Sequence, residues 1–128
     1  HHLIFDGTME KFPTLKIFVA HGGGYLPAYS GRIDHAWGAR PDCRGYDLKH
    51  KPSDYLKRMY FDTVVFSFDQ LKYLIDKFGS NHIIMGTDYP YDMAEDDPIE
   101  HVLGTDGLSQ NDIKLITGGN ACSLFKII

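Results

Sequence analysis

The chain has 128 residues, a net charge of −4, 43% hydrophobic residues and 23% charged residues. That balance suits a soluble globular domain, and the 13 scattered Lys and Arg residues form no basic block, which argues against a nucleic-acid surface. No run of about 18 apolar residues offers a membrane span. Cys43 and Cys122 lack CxxC spacing and read as free thiols, and no secretory leader pattern opens the chain, so a reducing cytoplasm is expected. His1 and His2 read equally as a tag remnant or as native, and neither is given a role.

In chain order, Leu3, Ile4 and Met9 recur at helical spacing, so residues 3–11 are expected to end a helix that Pro13 stops. Residues 15–20 form a β-branched and aromatic run closed by His21-Gly22-Gly23-Gly24. A nearly continuous apolar run of this kind predicts a parallel strand buried on both faces. A helix follows over 26–37 with Pro27 in its first turn. Residues 38–51 are polar and punctuated and read as a loop. A short helix is expected over 52–59 and a second strand over 60–65. Ser67 and Gln70 have the capping-box spacing ahead of an apolar face of Leu71, Leu74, Ile75 and Phe78, with Gly79 as terminator. A third strand over 82–86 ends in Thr87-Asp88-Tyr89-Pro90. Residues 92–97 are an acidic loop, and residues 98–103 can form one or two helical turns. Ser109 caps a helix that Gly118-Gly119 stops, and Asn120 caps a last short helix.

The alternation of strand and helix predicts an α/β fold on a parallel sheet. A complete parallel barrel needs roughly 250 residues, so this length would hold only part of one. No linker divides the chain, and residues 1–128 read as one domain, either small and complete or a piece of a larger one. Ligand sites in parallel α/β folds lie at the C-terminal ends of strands. That rule selects His21, the Val64-Val65-Phe66 stretch and Asp88. An imidazole titrates near neutrality and can move protons or bind a metal. The following glycines let backbone and substrate approach closely. A histidine that only holds a turn is the competing reading. A carboxylate after an apolar strand is costly without a cation or donors, so Asp88 reads as a metal ligand or proton acceptor, or else as an Asx-turn residue. His35, His50, His82 and His101 are expected to face solvent. Arg32 and Arg40 could each hold a carboxylate, although a solvated helix face is the simpler account. The run Asp92, Glu95, Asp96, Asp97 lacks EF-hand spacing and reads as a solvated loop.

The string from Glu10 to Lys16, Ala20-His21-Gly22-Gly23-Gly24, Gly31-Arg32-Ile33, Phe61-Asp62-Thr63, Gly86-Thr87-Asp88-Tyr89-Pro90 and Gly119-Asn120-Ala121 with Leu124-Phe125 occur in an order that resembles the amidohydrolase superfamily. The nearest branch is that of aminocarboxymuconate-semialdehyde decarboxylase, and the resemblance covers nearly the whole chain. It implies the C-terminal half of a (β/α)₈ TIM barrel, with strands six, seven and eight near residues 15–20, 60–65 and 82–86. It implies that His21 is the strand-six acid/base histidine and that Asp88 is the strand-eight aspartate touching a divalent metal. Zn²⁺ is preferred, with Mn²⁺ behind it. Arg32 matches an arginine that reaches a neighbouring subunit's site and holds a substrate carboxylate, which implies a homodimer or higher homo-oligomer. Arg40 matches a second substrate-site arginine. The superfamily's His-x-His pair and its strand-five histidine are not found in this sequence, and a tight site generally needs three or four ligands.

The function so implied is non-oxidative decarboxylation of a small unsaturated or aromatic carboxylic acid by the parent enzyme. Hydrolysis of a lactone or amide, or hydration of a double bond, uses the same metal-activated water. An inactive half barrel stabilised by self-association is the third reading, since an open parallel sheet exposes unpaired edges.

Overall fold

Glycine at position 7 decides the form of the first helical stretch. In the computed structural model, which describes residues 1–127, Gly7 adopts φ +74° between α1 (His2–Phe5) and α2 (Thr8–Lys11). A Cβ there would lie 2.5 Å from the Tyr46 ring, so the position needs glycine both for its dihedral and for its space. The single helix expected over 3–11 is therefore two short ones. Both belong to a compact unit formed by His1–Ile17 and Tyr25–Met59. This unit also holds α3 (Leu26–Ala39), with Pro27 in its first turn as expected, and α4 (Pro52–Leu56). Asp34 on α3 accepts bonds from the backbone N–H and the hydroxyl of Ser53 on α4, at 2.9 and 2.6 Å. Ile4, Met9, Leu48, Tyr55, Leu56 and Met59 are buried together in its core.

The second unit comprises Phe18–Gly24 and the chain from Tyr60 onward. Its centre is a parallel sheet in the order β1 (Phe18–Val19), β2 (Tyr60–Asp62), β3 (Ile83–Ile84). The register pairs Phe18 with Tyr60, Val19 with Phe61, Phe61 with Ile83 and Asp62 with Ile84. All three strands are shorter than their apolar runs. At β2 the reason is visible: the Asp62 carboxylate accepts the Val64 N–H at 3.1 Å, and Val65 N–H bonds to the Thr63 carbonyl at 2.8 Å. These local bonds turn the chain where a ladder would have continued. β2 and β3 are buried at Phe61, Ile83 and Ile84, but Phe18 on β1 keeps 42% of its surface exposed. The expectation that the run over 15–20 is buried on both faces thus fails at β1. An apolar run states a preference for burial but does not supply the cover.

Helix α5 (Phe68–Phe78) connects β2 to β3 and buries Leu71, Leu74 and Ile75, the face its periodicity predicts. Ser67 stands at its N-cap, but the side chain makes no capping bond, so the expected box is absent. The box forms instead at α7 (Gln110–Lys114). There the Ser109 hydroxyl accepts the Asp112 N–H at 3.1 Å and the Asp112 carboxylate accepts the Ser109 N–H at 2.9 Å. The preceding acidic stretch supplies another cap: Asp97 accepts the Glu100 N–H at the start of α6 (Pro98–Leu103). As expected, the glycine pair interrupts the helix: Gly118, at φ 179° and ψ −35°, leaves helical geometry, and α8 (Asn120–Phe125) starts just beyond the kink. Asn120 is the first residue of α8, and its amide donates to the carbonyls of Ser80 and Ile83, both at 2.7 Å, instead of capping the helix. These two carbonyls, one on β3 and one just before it, outcompeted the expected cap.

The Ser109 hydroxyl first, then that of Ser80, holds the Asp112 carboxyl below the ordinary aspartate value of 3.8. A carboxyl lowered in the folded state contributes stability above its unfolded value and loses it as pH falls through the folded one. Asp112→Asn should therefore destabilise the protein near neutrality, and its deficit against the parent should shrink below about pH 4. Urea midpoints measured across that range check this. A gap that stays constant with pH would assign the cap no charge dependence.

Candidate active site

Two to four residues beyond the end of each strand stands a non-glycine residue with positive φ. His21 follows β1 at +55°, Phe66 follows β2 at +54°, and Asp88 follows β3 at +63°. Left-handed backbone costs about 1–3 kcal/mol for such residues and persists where the surroundings over-determine it. Aspartate and histidine visit this region more readily than a phenylalanine does. The three positions coincide with the three strand ends that topology selects.

The turn after β1 brings the His21 Nε2 to 3.4 Å from an Asp88 oxygen. The imidazole side chain is 62% exposed and that of Asp88 27%. An ion pair this open to water contributes about 0.2–1 kcal/mol at most, so the pairing matters for its chemistry more than for stability. An imidazole beside a carboxylate can take or deliver a proton while the carboxylate steadies the charged ring. Among the following glycines, Gly22 is buried at φ +57°, and a Cβ there would run into the Val65 side chain. A Cβ on Gly24 would meet nothing within 4 Å. The glycines thus serve unequally, and crowding by protein is the reason at Gly22.

The turn that carries Asp88 is shaped by its neighbours. Thr87 Oγ1 accepts the Tyr89 N–H at 3.2 Å, the Thr87 carbonyl accepts the Glu95 N–H at 2.7 Å, and the Asp88 carbonyl accepts the Tyr91 N–H at 3.0 Å. These bonds form the turn without recruiting the Asp88 carboxylate, which is left to face His21.

Arg32 and Arg40 belong to the first unit, His21 and Asp88 to the second. Arg32 is exposed on α3 and lines a hollow of about 550 Å³ with Tyr25, Tyr29 and Ile33. Arg40 holds Asp42 in a two-bond fork, at 3.1 and 2.7 Å. Its guanidinium is therefore already engaged by a carboxylate of its own chain.

Three features escaped the sequence reading. Asp62 is 5% exposed, and its carboxylate collects three backbone N–H groups, those of His21, Gly22 and Val64. The signal was an aspartate inside the apolar run Phe61–Val65, where an unsatisfied carboxylate would be costly. His101, expected at the surface, is 6% exposed. Its Nδ1 lies 3.3 Å from the Glu95 carboxylate, and its ring meets Phe68 edge-on at 5.5 Å. Its contacts come from Phe68, 33 residues earlier (101 − 68), and from Glu95 in the acidic stretch, which the sequence pattern did not bring together. His82 is half-buried and stacks on Tyr60 at 5.1 Å, rather than facing water.

Among the described residues, no three His, Cys, Asp or Glu side chains come together as a metal site. Asp88 and His21 are donors of the right type for a divalent ion, but two donors fall short of the three or four that tight sites use. The chain's own residues therefore form an incomplete ligand set. No helix among them is long and apolar enough to cross a membrane, and Cys43 and Cys122 are free thiols.

A parallel sheet bearing an imidazole and a carboxylate beyond its strand C-termini makes this an α/β protein with polar groups where parallel α/β folds place their ligand sites. The amidohydrolase family profile matches residues 1–127, and the chain belongs to that family. It is 34% identical over 119 residues to 2-amino-3-carboxymuconate-6-semialdehyde decarboxylase of Dictyostelium discoideum, covering 93% of this chain and 33% of that protein. The Caenorhabditis elegans protein of the same name is 39% identical over 93 residues, covering 73% of this chain and 23% of its relative. Among solved structures, 5-carboxyvanillate decarboxylase from Sphingomonas paucimobilis superposes with a TM-score of 0.87 at 30% identity, covering 98% of this chain and 38% of that one. This chain therefore spans about a third of the length of the relatives it matches.

Proposed function

We propose that the whole protein is a metal-dependent non-oxidative decarboxylase of a small unsaturated or aromatic carboxylic acid. In this reading the present chain forms the C-terminal part of its (β/α)₈ barrel, with β1, β2 and β3 as strands six, seven and eight. The observation that carries the reading is the approach of His21 and Asp88, 3.4 Å apart across two strand ends. The decarboxylase names of its relatives, two acting on an aminocarboxymuconate semialdehyde and one on carboxyvanillate, support the reaction class.

Loss of CO₂ without oxidation replaces a C–CO₂⁻ bond by C–H. The carbon keeps the electron pair of the broken bond and gains one proton. His21 would move that proton, and Asp88 would steady the protonated ring. Asp88 would also be one ligand of a divalent ion, Zn²⁺ or Mn²⁺, whose chemistry when bound is to neutralise developing negative charge. A dihydroxybenzoic acid decarboxylase structure from a Polaromonas species, 33% identical, carries manganese, which supports the second choice. Arg32 would hold a substrate carboxylate across a subunit boundary in a homodimer or higher homo-oligomer, consistent with its exposure on α3. Arg40 would contribute to the same substrate site only after releasing Asp42.

The test is CO₂ release by the full-length protein from 2,6-dihydroxybenzoate, 5-carboxyvanillate and 2-amino-3-carboxymuconate-6-semialdehyde. One CO₂ per product is expected from at least one acid. Chelation should abolish the activity, and Zn²⁺ or Mn²⁺ should restore it. The family's amidohydrolase description favours a second reading, hydrolysis or hydration by a metal-activated water. A product that gains a hydroxyl and keeps its carboxylate would select that reading and exclude decarboxylation.

A further inference from the structure

We propose that Asp62 is the positioning residue of this site: its buried carboxylate clamps the turn after β1 and so holds His21 opposite Asp88. The inference rests on the catalytic reading of His21 given above. One Asp62 oxygen accepts the His21 N–H at 2.8 Å, and the other accepts the Gly22 N–H at 2.7 Å and the Val64 N–H at 3.1 Å. These donors would otherwise be stranded. The β1–β2 ladder ends at Val19 and Phe61, so the backbone beyond it has no strand partner there. His21 and Gly22 both sit at positive φ, at 55° and 57°. In a turn, successive backbone N–H groups can point to one side and form a concave anion nest. Asp62 fills that nest from within the protein, and the charge-assisted bonds make the turn a fixed element.

The next residue performs the matching task at the other strand end. Thr63 is fully buried, and its hydroxyl oxygen accepts the Gly86 N–H at 3.2 Å. Gly86 stands two residues before Asp88, and a Cβ on it would lie 3.1 Å from that of Asp62. The central strand therefore grips both neighbours through one dipeptide. Asp62 sets the His21 side and Thr63 sets the Asp88 side. Asp62 touches neither the imidazole nor the Asp88 carboxylate in the contacts described, so its effect on chemistry is exerted through backbone placement.

The experiment uses the full-length protein and combines amide exchange by NMR with steady-state kinetics on whichever acid of the three-substrate panel it turns over. In the parent protein the His21, Gly22 and Val64 amides should be protected from exchange although His21 lies at the surface. Exchange at unstructured-peptide rates would overturn the proposal without any variant. Asp62→Asn keeps one acceptor oxygen and turns the other into an NH2 donor facing these N–H groups, so at least one bonded set, His21 or Gly22 with Val64, should lose protection. A misplacement of about 1 Å costs roughly 100-fold in rate, so kcat should fall by about that factor while KM changes less than about twofold. A variant that keeps the protection, or keeps kcat, overturns the clamp. Gly22→Ala displaces the same turn with Asp62 intact, because its Cβ meets Val65, and should reproduce the fall in kcat. Unchanged kcat there also overturns the proposal. If His21→Asn retains full activity, the catalytic reading fails while the exchange result still decides whether Asp62 holds the turn.

Discussion

Phe61→Ala should cost about 3–5 kcal/mol of folding stability, the range for truncating a fully buried aromatic side chain. Phe61 is 0% exposed and lies on the central strand, in register with Val19 on one side and Ile83 on the other. Its ring stacks on Phe78 of α5 with centroids 4.4 Å apart and planes inclined by 30°. Truncation removes that pair, worth about 0.5–1.5 kcal/mol beyond burial alone, and leaves a void between sheet and helix. Domains of ordinary size have only about 5–15 kcal/mol in total, so the variant should lose a large part of its margin. Phe61→Leu refills most of the volume and should recover more than half of the loss. Urea unfolding followed by circular dichroism measures both. A deficit under about 1 kcal/mol for Phe61→Ala would mean that the sheet and α5 do not share this core.

Replacing His21 should remove activity with little effect on folding. General acid–base catalysis by one side chain is worth about 10²–10⁴-fold, so kcat of the full-length protein should fall within that range. Alanine alone would confound the result, because position 21 sits at φ +55° and alanine loses the tolerance for that backbone that histidine has. Asparagine tolerates left-handed backbone well and cannot exchange protons as an imidazole does. His21→Asn therefore separates the chemistry from the strain. With the imidazole 62% exposed, His21→Asn should unfold close to the parent's midpoint. Activity of His21→Asn within about threefold of the parent would remove His21 from the proton-transfer role.

The strand-end rule found His21 and Asp88 because it depends only on chain order and polarity, and both follow apolar runs that did form strands. The same rule overlooked Asp62, which lies within the expected strand 60–65. Reading it required knowing that β2 ends at Asp62 and that the N–H groups of His21 and Gly22 lack ladder partners. Those donors come from residues about forty positions away in sequence, a separation that no local pattern reports. His101 failed for a similar reason. It was read as part of a polar stretch, although Ile99, Val102 and Leu103 flank it, and its partners Phe68 and Glu95 lie outside its helix.

Local chemistry determined the helices that the sequence could place. Pro27 in the first turn of α3, the apolar face of Leu71, Leu74 and Ile75 on α5, and Ser109 ahead of α7 all act over one or two turns. The parallel α/β class followed from the alternation of apolar runs, which is also a property of chain order. Competition among partners was decided only in three dimensions. Ser67 had the spacing for a capping box and made none, while Asn120 gave up a cap for the carbonyls of Ser80 and Ile83. Apolar composition could not say that Phe18 would remain exposed, because burial depends on what is packed above a residue. The same holds at the site: sequence supplied an imidazole and a carboxylate 67 positions apart (88 − 21). Their 3.4 Å separation is set by the sheet register and by the hydrogen bonds of Asp62 and Thr63.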